Sequence, residues 1–239
     1  MLGRHRVWTA VSRSRLWWRP DMLITDLDGV ICDLVSEYLL RAAQITGVPH
    51  RAPWEITHHD KFLDVFGALG PAMREMLLDL LLGRPDYVYV SARPYFCGIK
   101  LLNWWWTKHN DKTQTVHVVS SRPAALADVT ESWLRRWIGE RGQRSETYWK
   151  VHLEGSKQKK IDTMFRLACE SSREDNFIFD DDPEVIEQLS GMPVPGAPGT
   201  TTVVLVPQPW NNYGGADSRV STDVSPTLGF LDEGAIVWR

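Results

Sequence analysis

The apolar run that ends at Thr25 is followed by two aspartates one residue apart, Asp26 and Asp28, and then by Gly29. Because alternate side chains of a strand lie on one face, both carboxylates can point into one site at the strand's carboxyl end. Gly29 allows a sharp turn directly behind them. Two carboxylates this close repel each other unless a cation lies between them, and oxygen ligands suit Mg²⁺. The pattern predicts a magnesium-binding site, although Asp and Gly are also ordinary turn residues.

Three further polar groups follow predicted strands or begin a predicted helix. They are Ser120 with Ser121, Asp180 with Asp181, and Lys157. In an open parallel sheet, ligands bind at the carboxyl edge of the strands, so these groups are expected near the first two aspartates. Taken singly, each has an ordinary structural explanation, because serines form turns, acids cap helices and lysines lie on solvated faces. Their order and placement together favour one shared site.

The elements that would position these groups alternate between strand and helix. Strands are predicted at 22–25, 115–119, 147–153, 176–179 and 201–206, and helices at 33–47, 71–82, 99–108, 124–140, 157–169 and 183–189. Residues 85–98 are typical of a short strand or a connector. Repeated β-α units of this kind predict an α/β fold in which a parallel sheet carries helices on both faces.

Residues 33–95 separate the first aspartates from the strand that leads to Ser120. A structureless connection of this length is uncommon in compact domains, and the helical spacing of the stretch predicts a small, mainly helical cap. A cap excludes water from a site and selects the substrate. Trp54 and Phe62 are candidates for a wall on which a base could stack, although most aromatic residues of such a segment belong to the core. The other candidates are His58, His59, Phe66, Tyr95 and Phe96.

Composition excludes several classes of protein. The chain has 239 residues, of which 43% are hydrophobic and 24% charged, as is usual for globular proteins. Its net charge of −3 provides no basic field for nucleic acid. Three scattered cysteines without metal-ligand spacing predict a reduced, cytoplasmic compartment. We expect no membrane partner, because no apolar run approaches the roughly 20 residues needed to span a bilayer.

Residues 1–20 contain five arginines and no acid. This composition is typical of an organelle-targeting presequence. A disordered basic extension, or a start codon upstream of a true start at Met22, is the simpler interpretation because Met22 opens the first strand directly. We therefore divide the chain into an extension at 1–20, a core at 21–32 and 96–212, the cap at 33–95 and a loop-rich tail at 213–239.

The order of these motifs, from Met22 to about residue 212, resembles that of the haloacid dehalogenase-like (HAD) phosphohydrolases. Four family motifs are similar to Asp26-Leu27-Asp28-Gly29-Val30, Ser120, Gly155-Ser156-Lys157 and Phe179-Asp180-Asp181-Asp182-Pro183-Glu184. Two further stretches resemble the narrower 5′(3′)-deoxyribonucleotidase-like branch. They are Trp54-Glu55-Ile56-Thr57 and Val206-Pro207-Gln208-Pro209-Trp210-Asn211. The resemblance implies a Rossmann-like HAD core with a helical cap inserted after the first strand.

The resemblance also implies an activity, that of a Mg²⁺-dependent phosphomonoesterase acting on nucleoside monophosphates, above all deoxyribonucleotides. Asp26 would attack phosphorus to form an aspartyl-phosphate, and Asp28 would act as general acid and then general base. Ser120 would hydrogen-bond the phosphoryl oxygens and Lys157 would offset their charge, with Lys159 and Lys160 as alternatives to Lys157. The implied metal ligands are Asp26, Asp28 (through its backbone carbonyl), Asp180 and Asp181, and the implied substrate contacts are Ser121, Arg122, Trp54 and Phe62.

Other functions stay open at this point. Within the same fold, the substrate could be another small phosphate ester or a nucleic-acid 3′-phosphate, although polymer binding usually needs a basic track. A non-catalytic binding protein on a HAD-like scaffold is a further alternative, against which the presence of Asp26, Asp28 and Asp180 argues. Trp104, Trp105 and Trp106 cannot all lie on one side of a helix, so at least one is expected to be exposed or to meet a partner, for example in a homodimer.

Overall fold

The computed structural model describes residues 22–56, 66–67, 69–108, 115–139, 149–170, 176–192 and 201–206, together with Gln208 and Asn211. Its strands are β1 (Met22–Thr25), β2 (Cys32–Asp33), β3 (Arg93–Pro94), β4 (Val116–Ser120), β5 (Trp149–Leu153), β6 (Asn176–Asp180) and β7 (Thr201–Leu205). Five of them form a parallel sheet in the order β5-β4-β1-β6-β7, and β2 and β3 form a separate antiparallel pair. The predicted α/β fold with a parallel sheet is confirmed.

Seven helices are formed by the described residues. They are α1 (Leu34–Thr46), α2 (Pro71–Gly83), α3 (Pro85–Val88), α4 (Phe96–Lys108), α5 (Ala127–Trp137), α6 (Lys157–Glu170) and α7 (Pro183–Gly191). Short 3₁₀ turns lie at Pro53–Glu55 and Ala124–Leu126. The stretch at 85–98, predicted as a short strand or a connector, contains the short strand β3 together with α3 and the first turn of α4. Apolar spacing did not indicate α3, because a single turn is too short to show a period.

The strand order explains why the polar strand ends meet. β1 lies at the centre of the sheet, with Thr25 opposite Val118 of β4 on one side and Phe179 of β6 on the other. The backbone N–H of Asp26 continues this ladder by donating to the Phe179 carbonyl at 2.8 Å. The carboxyl ends of β1, β4 and β6 are therefore neighbours at one edge, which is where open parallel sheets bind ligands.

Both faces of the sheet are covered by apolar side chains from helices. On one face, Leu23 and Phe177 belong to a buried cluster that also holds residues of α1, α4 and α5. On the other face, Ile24 and Ile178 pack with residues of α6 and α7. Adjacent residues of one strand thus enter opposite layers, as the two-residue repeat of a strand requires. This confirms helices on both faces and makes the sheet a rigid support for its carboxyl edge.

The segment predicted as a cap leaves and re-enters the core through the β2–β3 pair, in which Cys32 lies opposite Pro94. Its first helix, α1, buries Tyr38 and Leu39 in the same apolar cluster that covers one face of the sheet. That these residues act as a cap stays a prediction. Several expectations fall outside the described residues, namely those for Phe62, His58, His59, the extension at 1–20 and the tail at 213–239.

The three consecutive tryptophans of α4 differ in burial. Trp105 is fully buried, whereas Trp104 and Trp106 are half-buried. Trp104 packs edge-on against Phe177, with 6.2 Å between ring centroids. All three rings therefore contribute to packing of the apolar core. A homodimer formed through these tryptophans stays a prediction. Among the described residues, every helix is too short or too polar to cross a bilayer.

Two histidines on adjacent strands, His117 of β4 and His152 of β5, form a stacked pair. Their rings are 5.3 Å apart with 16° between planes, and Nδ1 of His117 lies 3.1 Å from Nε2 of His152. Burial, followed by the repulsion of a charged His152, lowers the pKa of His117 from 6.5 to about 4. Burial also lowers the pKa of His152. The folded state therefore holds this pair neutral at a pH where the unfolded chain would protonate it.

Because the unfolded chain binds more protons below about pH 6.5, stability present at neutral pH is lost as the pH falls towards the folded-state pKa. We expect urea unfolding between about pH 7.5 and about pH 5 to show a loss of at most about 3 kcal/mol from this pair. His117→Gln should reduce the pH dependence, whereas His50→Gln, at an exposed position, should leave it unchanged. Equal pH dependence in both variants would contradict the assignment.

Candidate active site

Three aspartates distant in sequence meet at the carboxyl edge of the sheet. Asp26, Asp180 and Asp181 each offer a carboxylate oxygen within 4.8 Å of the other two, and all three are buried. We call them the carboxylate cluster. Asp26 follows β1, and its Oδ1 accepts a hydrogen bond of 2.7 Å from the N–H of Leu27. Asp180 ends β6, and its Oδ1 accepts a bond of 2.9 Å from the N–H of Asp182. Both side chains are thus held by the turns that follow their strands.

Lys160 is the amine that reaches this cluster. Its Nζ lies 2.7 Å from Oδ2 of Asp26 and 2.7 Å from Oδ2 of Asp180, and the residue is only 4% exposed. Although burial opposes the charged form, the charges of Asp180 and Asp26 raise the pKa of Lys160 above its ordinary value. The ammonium group therefore stays charged between the ends of β1 and β6.

The expectation that Lys157 holds this position is wrong. Its Nζ instead lies 2.7 Å from Asp182 and 2.7 Å from Glu184, at the exposed start of α7. Lys157 is the first residue of α6, whereas Lys160 lies one turn later, on the buried face of the helix beside Ile161. Apolar spacing did not distinguish the two lysines, because Lys157 lies four residues before Ile161 and Lys160 four residues before Met164, so both are in register with the buried stripe of the helix.

The charge of the cluster makes it suitable for a metal ion. Burial raises the pKa of Asp26 well above its usual range, Lys160 opposes that rise, and the charges of Asp180 and Asp181 add to it. Three carboxyl groups facing a single ammonium group leave negative charge to be offset. The donors are carboxylate oxygens, which are the ligands that Mg²⁺ prefers. The residues present therefore fit a divalent cation of this type.

Asp28 lies outside the carboxylate cluster and pairs with an arginine. Its Oδ2 accepts a 2.8 Å hydrogen bond from Nε of Arg122, and its Oδ1 accepts one of 2.6 Å from Nη2. The Asp28 side chain is 18% exposed and that of Arg122 only 2%. Such a two-point pair fixes the orientation of the carboxylate. Metal binding by the Asp28 backbone carbonyl stays a prediction.

Arg122 is itself held by its surroundings. Its Nη1 donates to Oγ1 of Thr130 at 3.0 Å, and its guanidinium carbon lies 4.6 Å from the ring centre of Tyr89. Tyr89 in turn shares a hydrogen bond of 3.0 Å between hydroxyls with Tyr38 of α1. Residues from the 33–95 segment thus help to position the partner of Asp28. Nothing in the sequence pattern indicated this contact of Tyr89.

The two serines after the second strand have different surroundings. Ser120, the last residue of β4, is 1% exposed, and its Oγ accepts a hydrogen bond of 3.2 Å from the N–H of Arg122. Ser121 is exposed. Ser120 therefore lies buried at the carboxyl end of β4, whereas Ser121 is exposed, and the predicted contacts of both with substrate stay predictions.

The aromatic residues predicted as candidates for a base-stacking wall differ in exposure. Trp54 is 69% exposed and Phe96 is 73% exposed, whereas Phe66 is 1% exposed and belongs to the core. The N–H of Tyr95 bonds the carbonyl of Ile31, which ties the start of α4 to the loop after β1. Trp54 and Phe96 are thus the exposed candidates, although the ammonium group of Lys100 lies over the Phe96 ring, 4.9 Å from its centroid.

Gly29 permits the close approach of Asp181 to the loop after β1. It has a φ of +82°, and a Cβ at this position would lie 2.1 Å from Oδ2 of Asp181. Any side chain would displace the carboxylate. The Asp-x-Asp-Gly pattern therefore contains its glycine for two reasons, the left-handed backbone and the space taken by Asp181.

We expect Gly29→Ala to lower turnover by about 100-fold, because the carboxylate would move on the order of 1 Å from its place. Gly47→Ala is the matched control, since Gly47 also has a positive φ, of +70°, but no atom lies within 4 Å of the position of its missing Cβ. Both variants carry the backbone strain, and only the first moves Asp181. Equal kcat values for the two variants, measured under the same conditions, would contradict this role of Gly29.

No protein-family model and no curated protein matches the chain. Similar solved structures include a HAD-superfamily hydrolase of subfamily IA, variant 1, from Geobacter sulfurreducens, with 14% identity, 74% of this chain and 86% of that chain covered, and a TM-score of 0.44. A HAD-superfamily hydrolase from Ehrlichia chaffeensis is 12% identical, and the match covers 79% of this chain and 88% of that chain with a TM-score of 0.38. A hydrolase from Pseudomonas syringae is 16% identical, and the match covers 89% of this chain and 98% of that chain with a TM-score of 0.37.

Proposed function

We propose that the chain is a Mg²⁺-dependent phosphomonoesterase of the HAD type that forms an aspartyl-phosphate on Asp26. The observation that carries this proposal is a buried aspartate, Asp26, that contacts Lys160 and lies within 4.8 Å of two further carboxylates at the carboxyl edge of a parallel sheet. Phosphoryl transfer depends mainly on positioning and on the stabilisation of negative charge. The site supplies a fixed nucleophile and a fixed cation for that purpose.

Asp26 is oriented for attack on phosphorus. The Leu27 N–H bonds Oδ1 and Lys160 contacts Oδ2, so the carboxylate has a defined position before the substrate arrives. In the first step a bond forms between an Asp26 oxygen and phosphorus while the bond to the leaving alkoxide breaks, and Asp28, in its protonated form after release from Arg122, gives the alkoxide a proton and becomes a carboxylate. In the second step Asp28 takes a proton from water, whose oxygen displaces Asp26 and releases phosphate.

The carboxylates of Asp26, Asp180 and Asp181 would hold Mg²⁺. When bound, the ion would offset the negative charge of these carboxylates and of the phosphoryl oxygens. Lys160 neutralises part of the same charge through its contacts with Asp26 and Asp180. The buried ammonium group also keeps the acidic side chains together when no other cation is near.

Ser120 and Arg122 are the proposed contacts with the phosphoryl oxygens. The Ser120 oxygen accepts from the Arg122 backbone, so its hydroxyl proton can be donated to substrate. Arg122 bonds both oxygens of Asp28. An incoming phosphate offers the guanidinium a second anion, and a shift of Arg122 towards it would free Asp28 to exchange a proton.

We propose nucleoside monophosphates, deoxyribonucleotides first, as the substrates. The exposed rings of Trp54 and Phe96 support a partner with a flat aromatic group, because a base stacked on such a ring gains about 1–3 kcal/mol. The net charge of −3 favours a small phosphate ester over a nucleic-acid chain. A cytoplasmic location fits these substrates and stays a prediction.

A hydrolysis screen tests this proposal. Ribo- and deoxyribonucleoside 5′- and 3′-monophosphates, sugar phosphates and p-nitrophenyl phosphate would be compared with and without Mg²⁺. We expect release of phosphate that requires the metal and is fastest with nucleoside monophosphates. Hydrolysis without preference for nucleotides would contradict the substrate assignment alone. No hydrolysis of any ester would contradict the phosphatase itself and favour a binding protein.

A further inference from the structure

Two uncharged side chains beyond β7, Gln208 and Asn211, hold the loops that carry the proposed metal ligands. We propose that both are positioning residues, which set the affinity for the divalent ion by fixing the backbone around Gly29 and Asp181. This inference rests on the proposed function, because it concerns the metal site of that function. Neither side chain adds a ligand or a charge, so any effect on the ion must pass through geometry.

Asn211 uses all of its side-chain hydrogen-bonding groups on the backbone. It is 7% exposed, and its Nδ2 donates to the Asp181 carbonyl at 2.6 Å and to the Val206 carbonyl at 2.7 Å. Its Oδ1 accepts from the N–H of Gln208 at 2.8 Å. A primary amide offers two N–H donors and one carbonyl acceptor, so an aspartate of the same shape could not replace it. The contact joins the end of β7 to the loop that carries Asp181.

Gln208 reaches the other loop. Its Nε2 donates to the carbonyl of Gly29, the residue against which the Asp181 carboxylate packs. The N–H of Asn211 also donates to the Gln208 carbonyl at 3.1 Å, which links the two residues directly. This linked pair therefore holds both the loop after β1 and the loop after β6.

The negative charge of the carboxylate cluster explains why the two loops need the hydrogen bonds of Asn211 and Gln208. Asp26, Asp180 and Asp181 are buried within 4.8 Å of one another, and the single ammonium group of Lys160 offsets only part of their negative charge, so the repulsion that remains opposes their close approach when no metal is bound. Backbone hydrogen bonds from Asn211 and Gln208 resist that repulsion. The ligands then already have their positions when the ion binds, so ordering them costs less of the binding free energy. Removal of outer partners of this kind typically weakens metal binding by about 10–100-fold.

The test measures Mn²⁺ binding by the full chain directly, by electron paramagnetic resonance of the free ion, without reference to turnover. The variants are Asn211→Ala, Asn211→Asp and Gln208→Ala. Their controls are Asn103→Asp and Gln44→Ala, at exposed positions away from the site. We expect the Kd for Mn²⁺ to rise by about tenfold or more in the three variants and to stay unchanged in the controls. Asn211→Asp is the sharpest case, since its added negative charge alone would strengthen cation binding.

Urea unfolding without metal separates positioning from stability. A merely structural role would lower the unfolding midpoint and leave the Kd of the folded protein unchanged, which would overturn the inference. Gln208 is half-buried, so Gln208→Ala decides the question if the Asn211 variants do not fold. Wild-type affinity in all variants would overturn the inference and leave the proposed function standing. A wild-type protein that binds no Mn²⁺ would overturn both.

Discussion

Asp26→Asn is expected to lower kcat by about 10⁴-fold or more, because the amide cannot attack phosphorus, and losses of this size follow removal of a nucleophile. The fold should persist, since the amide has nearly the same shape and Lys160 keeps its contact with Asp180. The measurement is kcat on the ester that the hydrolysis screen shows to be turned over fastest, with circular dichroism to confirm folding.

Asp162→Asn provides the matched control, because Asp162 is exposed on α6 and bonds only the side chain of Gln158 among the contacts described. It removes one negative charge from the chain, as Asp26→Asn does, and should keep near wild-type kcat. Turnover by Asp26→Asn within tenfold of the wild type would show that another group attacks phosphorus.

Lys160→Met is expected to reduce kcat by about 10²–10³-fold, the usual cost of losing one group that stabilises developing negative charge. It should also destabilise the protein by about 3–5 kcal/mol, since two buried carboxylates lose their cation. Mg²⁺ should restore part of that stability by offsetting the same charge, so thermal unfolding would be measured with and without it.

Lys157→Met is the variant that distinguishes the roles of Lys157 and Lys160 in turnover. Lys157 lies on the same helix, 47% exposed, and pairs with Asp182 and Glu184 outside the carboxylate cluster. Its loss should leave kcat nearly unchanged and cost at most about 1 kcal/mol, as is typical of surface ion pairs. Near-normal turnover by Lys160→Met together with loss in Lys157→Met would reverse the assignment made from the structure.

The parts of the site that depend on strand ends could be predicted from the sequence. Asp26 and Asp180 follow short apolar runs, and parallel strands deliver their last residues to one edge, so their meeting follows from the pattern. Gly29 was predictable as a turn residue. Its second requirement, the space occupied by Asp181, was not, because it depends on how closely two loops approach.

Contacts between distant segments could not be derived in this way. The choice of Lys160 over Lys157 depends on how the start of α6 packs on the sheet, which the apolar stripe does not indicate because both lysines are in register with it. The pair of Asp28 with Arg122 requires the strand order, which apolar runs do not encode. The support from Tyr89 requires the path of the 33–95 segment as well. Side chain to backbone bonds such as those of Asn211 leave no periodic pattern at all.

The central claim is that Asp26 is transiently phosphorylated, and trapping that state tests it most directly. Wild-type protein would be mixed with its best ester and Mg²⁺, quenched in acid within a turnover and reduced with borohydride, which converts an acyl phosphate but not a free carboxylate. Peptide mass spectrometry should then find the reduced side chain at Asp26, and none in Asp26→Asn. Phosphate release in a burst with Asp26 unmodified, or with another residue reduced instead, would contradict the account.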